Sequence, residues 1–132
     1  MAEGILKKIA NESGLSLEVQ SAGLQAFAGI PATAEAIEAC REKNVDISAY
    51  QSQPLSKNLV LESDLILTMT VKHKELMLRK MPDLKDKIAL LSEFAGESLV
   101  DVDDPIDQPL EQYRKVLNQI EGYLQKAKDR FN

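Results

Sequence analysis

Residues 64–94 run through "DLILTMT", "VKHKELMLRKM" and "KIALLSEF" in close succession, and no other stretch constrains the fold so strongly. The first and third segments are short, nearly unbroken apolar runs, the pattern of strands buried on both faces. The segment between them reads as a helix ended by Pro82, which cannot continue one. Two buried strands joined through a helix must run parallel, because a parallel pair needs a long crossover. The chain is therefore expected to be an α/β protein with helices on both faces of its sheet.

The remaining segments extend the alternation. Ile5, Leu6 and Ile9 share a face over residues 2–12, and Gly14 follows as a C-terminal cap. "LSLEVQSAG" alternates Leu15, Leu17 and Val19, which predicts a strand over 15–21 broken at Ser21-Ala22-Gly23. "ATAEAIEACREKN" has a helical period through Ala36, Ile37 and Cys40, and Ser56 opens a short helix in "LSKNLVLES". Leu110, Tyr113, Leu117, Ile120, Leu124, Ala127 and Phe131 recur at steps of three and four, giving a long final helix with Pro109 at its first turn. The predicted order is α-β-α-α-β-α-β-loop-α, a single domain over residues 1–132. In such sheets ligands bind beyond the carboxyl ends of the strands, the edge that carries Ser21, Thr70 and the Asp101–Asp107 loop.

Charge and residue usage narrow the chemistry. The net charge is −5 with both signs interspersed, so no basic patch is expected for nucleic acid or an anionic membrane, and any phosphate site has to be local. No apolar run spans a bilayer, and "MAEGILKKIA" lacks the apolar core of a signal peptide, which predicts a cytoplasmic protein. Cys40 is the single cysteine and His73 the single histidine. An internal disulfide and a clustered cysteine metal site are thereby excluded, and neither metal nor cofactor is expected. Cys40 shares the inward face of its helix with Ala36 and reads as a buried core thiol. His73 lies among charged neighbours on a solvated helix face.

The loop "VDVDDPIDQP", residues 100–109, crowds four carboxylates around Pro105. An aspartate beside a proline suits a general acid, since the fixed φ limits where the carboxylate points. At this point the set "MAEGIL", "SAGL", "GIPAT", "DISAYQSQPL", "DLILTMTVKHKE", "LLSEF" and "DVDDPIDQPLEQYR" resembles the low-molecular-weight protein phosphatases, especially the bacterial branch that includes protein arginine phosphatases. The likeness runs end to end in family order. It implies a flavodoxin-like three-layer sandwich with a four-stranded parallel sheet, and a site that pairs a Cys-x5-Arg phosphate loop with an Asp-Pro general acid acting on a phosphorylated protein.

By that resemblance Asp104 is the general acid, and Ser21 is the serine that braces the phosphate loop. Ile106 stands where the tyrosine phosphatases carry an aromatic side chain against the substrate's phenyl ring; an aliphatic residue there favours phosphoarginine over phosphotyrosine. Asp107 replaces a family glycine and is expected to cap the final helix, Asp101 and Asp103 to shape the loop. Tyr50 stands where relatives carry histidine. In the family an Arg-Ser-Pro segment precedes a Met-Ala-Glu, whereas this sequence opens on Met1-Ala2-Glu3 and contains no Cys-x5-Arg. The resemblance thus implies that the family's first, central strand and its phosphate loop are absent and that the chain is inactive as written. Another chain filling the strand position would make an oligomer. The alternative is a non-catalytic relative that binds a partner or a phosphorylated protein; an arsenate reductase is disfavoured because that chemistry needs several redox cysteines.

Overall fold

The computed structural model describes residues 1–24 and 27–131. Its elements in chain order are α1 (Ala2–Ser13), α2 (Ala34–Arg41), α3 (Lys57–Glu62), β1 (Ile66–Thr68), α4 (Val71–Lys80), a 3₁₀ turn (Pro82–Lys87), β2 (Ile88–Leu90), α5 (Leu91–Phe94), α6 (Leu110–Ala127) and a closing 3₁₀ turn (Lys128–Phe131). Gly14 and Ser56 cap where the sequence places them, and Thr33 and Thr70 add caps that the sequence reading does not single out. Gly14 adopts φ 69° after α1, Thr33 and Ser56 accept backbone N–H groups at the starts of α2 and α3, and Thr70 does so for α4.

β1 and β2 pair in parallel, with Ile66 opposite Ile88, Leu67 opposite Ala89 and Thr68 opposite Leu90. Successive strand side chains point to opposite faces, and the two cores follow from this. Ile66 and Ile88 pack on Val60 of α3 and Met77 of α4. Leu67 joins the larger core on the other face, built from Ile5 and Ile9 of α1, Cys40 of α2 and the buried stripe of α6 centred on Leu117. Helices on both faces of a parallel sheet make the expected α/β sandwich.

Two strand expectations need correction. Residues 15–20 keep a strand's alternation, with Leu15, Leu17 and Val19 half-buried and Ser16, Glu18 and Gln20 exposed, yet they belong to no ladder among the described residues. A period of two selects the face a segment buries; pairing requires a neighbour's backbone, and the nearest pairing here is the isolated parallel bridge between Gly23 and Pro54. The run "KIALLSEF" is a strand only to Leu90, after which α5 begins. Glu93 ends the strand by accepting the Leu90 N–H at 3.2 Å while also pairing with Lys74 at 2.6 Å. Leu91 and Ser92 are then buried as helix residues, and Ser92 Oγ accepts the N–H of Val100 at 2.9 Å.

α1 approaches the chain segment after α2 closely at Gly4. A Cβ there would lie 2.8 Å from both Val45 Cγ1 and Ile47 Cγ2, two buried β-branched side chains with little rotamer freedom. Alanine improves helix propensity by about 1 kcal/mol, but overpacking of this kind costs about 1–3 kcal/mol. Gly4→Ala is therefore expected to lower the urea midpoint, and an unchanged or raised midpoint would show that Val45 and Ile47 move aside freely.

Candidate active site

The acidic loop is fastened to the carboxyl end of β1. Val102 N–H donates to the carbonyl of Met69 at 2.8 Å, extending the strand's last residues sideways into the loop. One residue earlier, Asp101 Oδ1 accepts the N–H of Val71 at 2.9 Å in the first turn of α4, where a carboxylate also suits the helix dipole. The Asp101 carbonyl accepts from Gln119 Nε2 of α6 at 3.2 Å. Val102 and Pro105 are buried, while Asp103, Asp104, Ile106 and Asp107 are exposed. The loop is thus pinned at two buried residues with Asp104 held between them on the solvent side.

Asp104 Oδ1 accepts the N–H of Ile106 at 3.1 Å, closing a turn across Pro105. The bond and the proline ring together restrict the carboxylate, leaving it accessible for proton transfer. Ile106 is 56% exposed beside it, an apolar surface next to an acid. The following turn is closed by Gln108 N–H to the Pro105 carbonyl at 2.9 Å, with Asp107 at φ 64°. That is the left-handed region that glycine favours, and aspartate is among the few other residues that enter it at modest cost. The expectation that Asp107 caps the final helix does not hold. α6 starts after Pro109 without a side-chain cap, because a residue committed to the left-handed turn sits too early to serve as its cap.

Ser21 lies after the 15–20 segment and is exposed. Its hydroxyl donates to Glu3 Oε1 at 2.7 Å and its carbonyl accepts from Gln53 Nε2 at 2.9 Å. Glu3 Oε2 accepts from Lys7 Nζ at 2.7 Å, and that ammonium stands 4.8 Å from the centre of the Tyr50 ring. Tyr50, unexplained as a replacement for histidine, thus supplies a ring face to a cation. Glu3 and Lys7 were missed by motif reading, although Glu then Lys at a spacing of four on a helix is a visible signal. Among the described residues no hydrogen bond joins Ser21 to the Asp104 loop: the first is tied to α1, the second to β1 and α4.

Cys40 is buried in α2. Burial pushes its thiol pKa up, against weaker pulls from the amino terminus and Lys43, so it is a poor source of thiolate. His73 is exposed on α4. Among the described residues no group of three His, Cys, Asp or Glu side chains is placed to hold a metal ion, and no helix is long and apolar enough to cross a membrane.

The chain and its fold have clear counterparts. The chain is 35% identical to the protein-arginine-phosphatase of Bacillus subtilis over 124 residues, covering 94% of this chain and 82% of the relative. It is 30% identical to the low molecular weight protein-tyrosine-phosphatase Wzb of Escherichia coli, over 80% of this chain and 70% of that one. A YwlE arginine phosphatase solved as a mutant with a phosphorylated active site serine superposes with a TM-score of 0.92 at 33% identity, covering 99% of this chain and 90% of that one. The sequence pattern of the low molecular weight phosphotyrosine protein phosphatases matches residues 1–131, and with the three-layer architecture it establishes that the chain belongs to that family.

Proposed function

We propose that this chain carries the acid side of a cysteine-dependent protein phosphatase site, with Asp104 as general acid and phosphoarginine preferred to phosphotyrosine. The observation that supports it is the pinned Asp104-Pro105-Ile106 turn, which holds an exposed carboxylate beside an exposed aliphatic side chain at the carboxyl end of a parallel strand. In the proposed reaction a cysteine thiolate forms an S–P bond as the P–N bond breaks. Asp104 gives its proton to the leaving guanidino nitrogen. Water then attacks phosphorus, Asp104 takes up the water's proton, and the S–P bond breaks to release inorganic phosphate. A covalent phosphoenzyme accords with the phosphorylated serine named for the solved YwlE mutant.

The 132 residues hold one cysteine, which is buried, and no Cys-x5-Arg, so the thiolate and the phosphate cradle have to be contributed by residues outside them. The experiment therefore uses a hybrid in which a family strand and Cys-x5-Arg loop are fused ahead of Met1. That hybrid is expected to turn over phosphoarginine in a protein with higher kcat/KM than phosphotyrosine. Ile106→Tyr would shift the ratio toward phosphotyrosine by roughly 2- to 10-fold, the worth of one aromatic pair. A parent that prefers phosphotyrosine would reverse the substrate assignment. A folded hybrid that binds phosphorylated protein without turnover would favour a binding module.

A further inference from the structure

Among the described residues two polar side chains are buried, those of Thr68 and Ser92, and Ser92 is the deeper at 0% exposure. A hydroxyl is costly to bury without a partner, so the bonds it makes show what it holds. Ser92 is the second residue of α5, and it accepts two backbone N–H groups from the chain that follows. Its carbonyl takes the N–H of Glu97 at 3.0 Å and its Oγ takes the N–H of Val100 at 2.9 Å. Both donors belong to one excursion, residues 95–100, which leaves α5, turns at Gly96 with φ 82° and pairs at Glu97 with Lys126 of α6. The excursion then returns to Ser92 at Val100, immediately before the acidic loop.

Three consecutive residues at the entry to that loop are bonded to three different elements. Val100 N–H reaches Ser92 of α5, Asp101 Oδ1 takes the N–H of Val71 in α4, and Val102 N–H reaches the Met69 carbonyl at the end of β1. Val102 is also held by burial in the core, whereas Leu99 and Val100 are 62% and 41% exposed and have little packing to fix them. A segment bonded at two adjacent points can still pivot about them. A third bond, to a separate element, removes that freedom.

We infer that Ser92 is a positioning residue, whose buried hydroxyl holds the Val100 backbone and thereby sets where the Asp104 turn leaves the sheet edge. What Asp104 does there rests on the proposed phosphatase reading; the anchoring by Ser92 does not. Alanine at residue 92 removes one oxygen without overpacking its surroundings. The Val100 N–H, being partly exposed, then turns to water, and the loop entry separates from α5. The change therefore acts on the placement of the loop more than on the core.

Amide hydrogen exchange and nitrogen-15 relaxation of the 132-residue chain test this without turnover. The Val100 amide is expected to exchange more slowly than that of Leu99. In Ser92→Ala it should exchange roughly 2- to 10-fold faster, the worth of one hydrogen bond, and the backbone order of Asp103, Asp104 and Ile106 should fall while that of Leu117 in α6 is kept. Glu97→Gln, which cuts only the ion pair at the tip of the excursion, should leave both Val100 protection and Asp104 order unchanged. In the hybrid with a fused Cys-x5-Arg loop, Ser92→Ala should lower kcat by roughly 3- to 30-fold with KM within about twofold, short of the ~10²-fold that a misplacement of about 1 Å can cost. A merely structural serine would lower the protection of Leu117 and Val100 alike and leave the order at Asp104 as it was. That result, a Val100 amide as labile as Leu99 in the unsubstituted chain, or a loss of Asp104 order in Glu97→Gln equal to that in Ser92→Ala would overturn the inference. The unsubstituted chain and Glu97→Gln supply tests of their own should Ser92→Ala fold poorly. Failure in exchange and relaxation would leave the phosphatase reading standing, and an inactive hybrid would leave the anchoring result standing.

Discussion

Neither phosphoarginine nor p-nitrophenyl phosphate is expected to be hydrolysed above background by the 132-residue chain, and fusing a family strand and Cys-x5-Arg loop ahead of Met1 is expected to restore turnover. The reaction needs a thiolate and a cradle of donors around the transferring phosphoryl group. Cys40 cannot provide the first, being buried with its pKa raised by that burial, and its neighbour Arg41 pairs with Glu38 on the helix surface. Removing the members of a catalytic unit together costs on the order of 10⁶-fold, which puts the chain at the level of the uncatalysed reaction in an ordinary assay. The comparison is made by releasing inorganic phosphate from matched concentrations of the two proteins. Turnover by the 132-residue chain that disappears in Cys40→Ser would show that a buried helix thiol can act after all.

The second large effect concerns Asp104 in the active hybrid. Asp104→Asn preserves the turn, because the amide oxygen can still accept the Ile106 N–H that the carboxylate accepts at 3.1 Å, but it has no proton to give. Turnover should fall by roughly 10²–10⁴, the usual worth of general acid–base catalysis. The loss should be greatest on substrates whose leaving groups most need protonation, and small on p-nitrophenyl phosphate, whose leaving phenolate is stable. Asp101→Asn works through structure instead. It weakens the contact to the α4 N-terminus that fixes the loop, so it should cost less and should do so evenly across leaving groups. A larger loss in Asp101→Asn or Asp103→Asn than in Asp104→Asn on a poor leaving group would move the acid to another residue of the loop.

What could be read from the amino-acid order alone was local or periodic. The apolar stripe of α6 appears in the structure as the buried series Tyr113, Leu117, Ile120, Leu124 and Ala127, because a period of 3.6 leaves one face no alternative but the core. The caps at Gly14 and Ser56 depend on neighbours three or four residues away. The Asp104-Pro105 turn closes within three residues, and the family resemblance carried its meaning. Other features depended on partners far away in sequence, which no local pattern can specify. Leu15, Leu17 and Val19 alternate as a strand does but find no ladder among the described residues. Glu93, which accepts the Leu90 N–H where the strand gives way to helix, is itself paired with Lys74 nineteen residues away. Only the tertiary structure brings Ser21 across eighteen residues to Glu3 and sets Lys7 over Tyr50, since a hydroxyl has no preferred direction until a distant carboxylate supplies one.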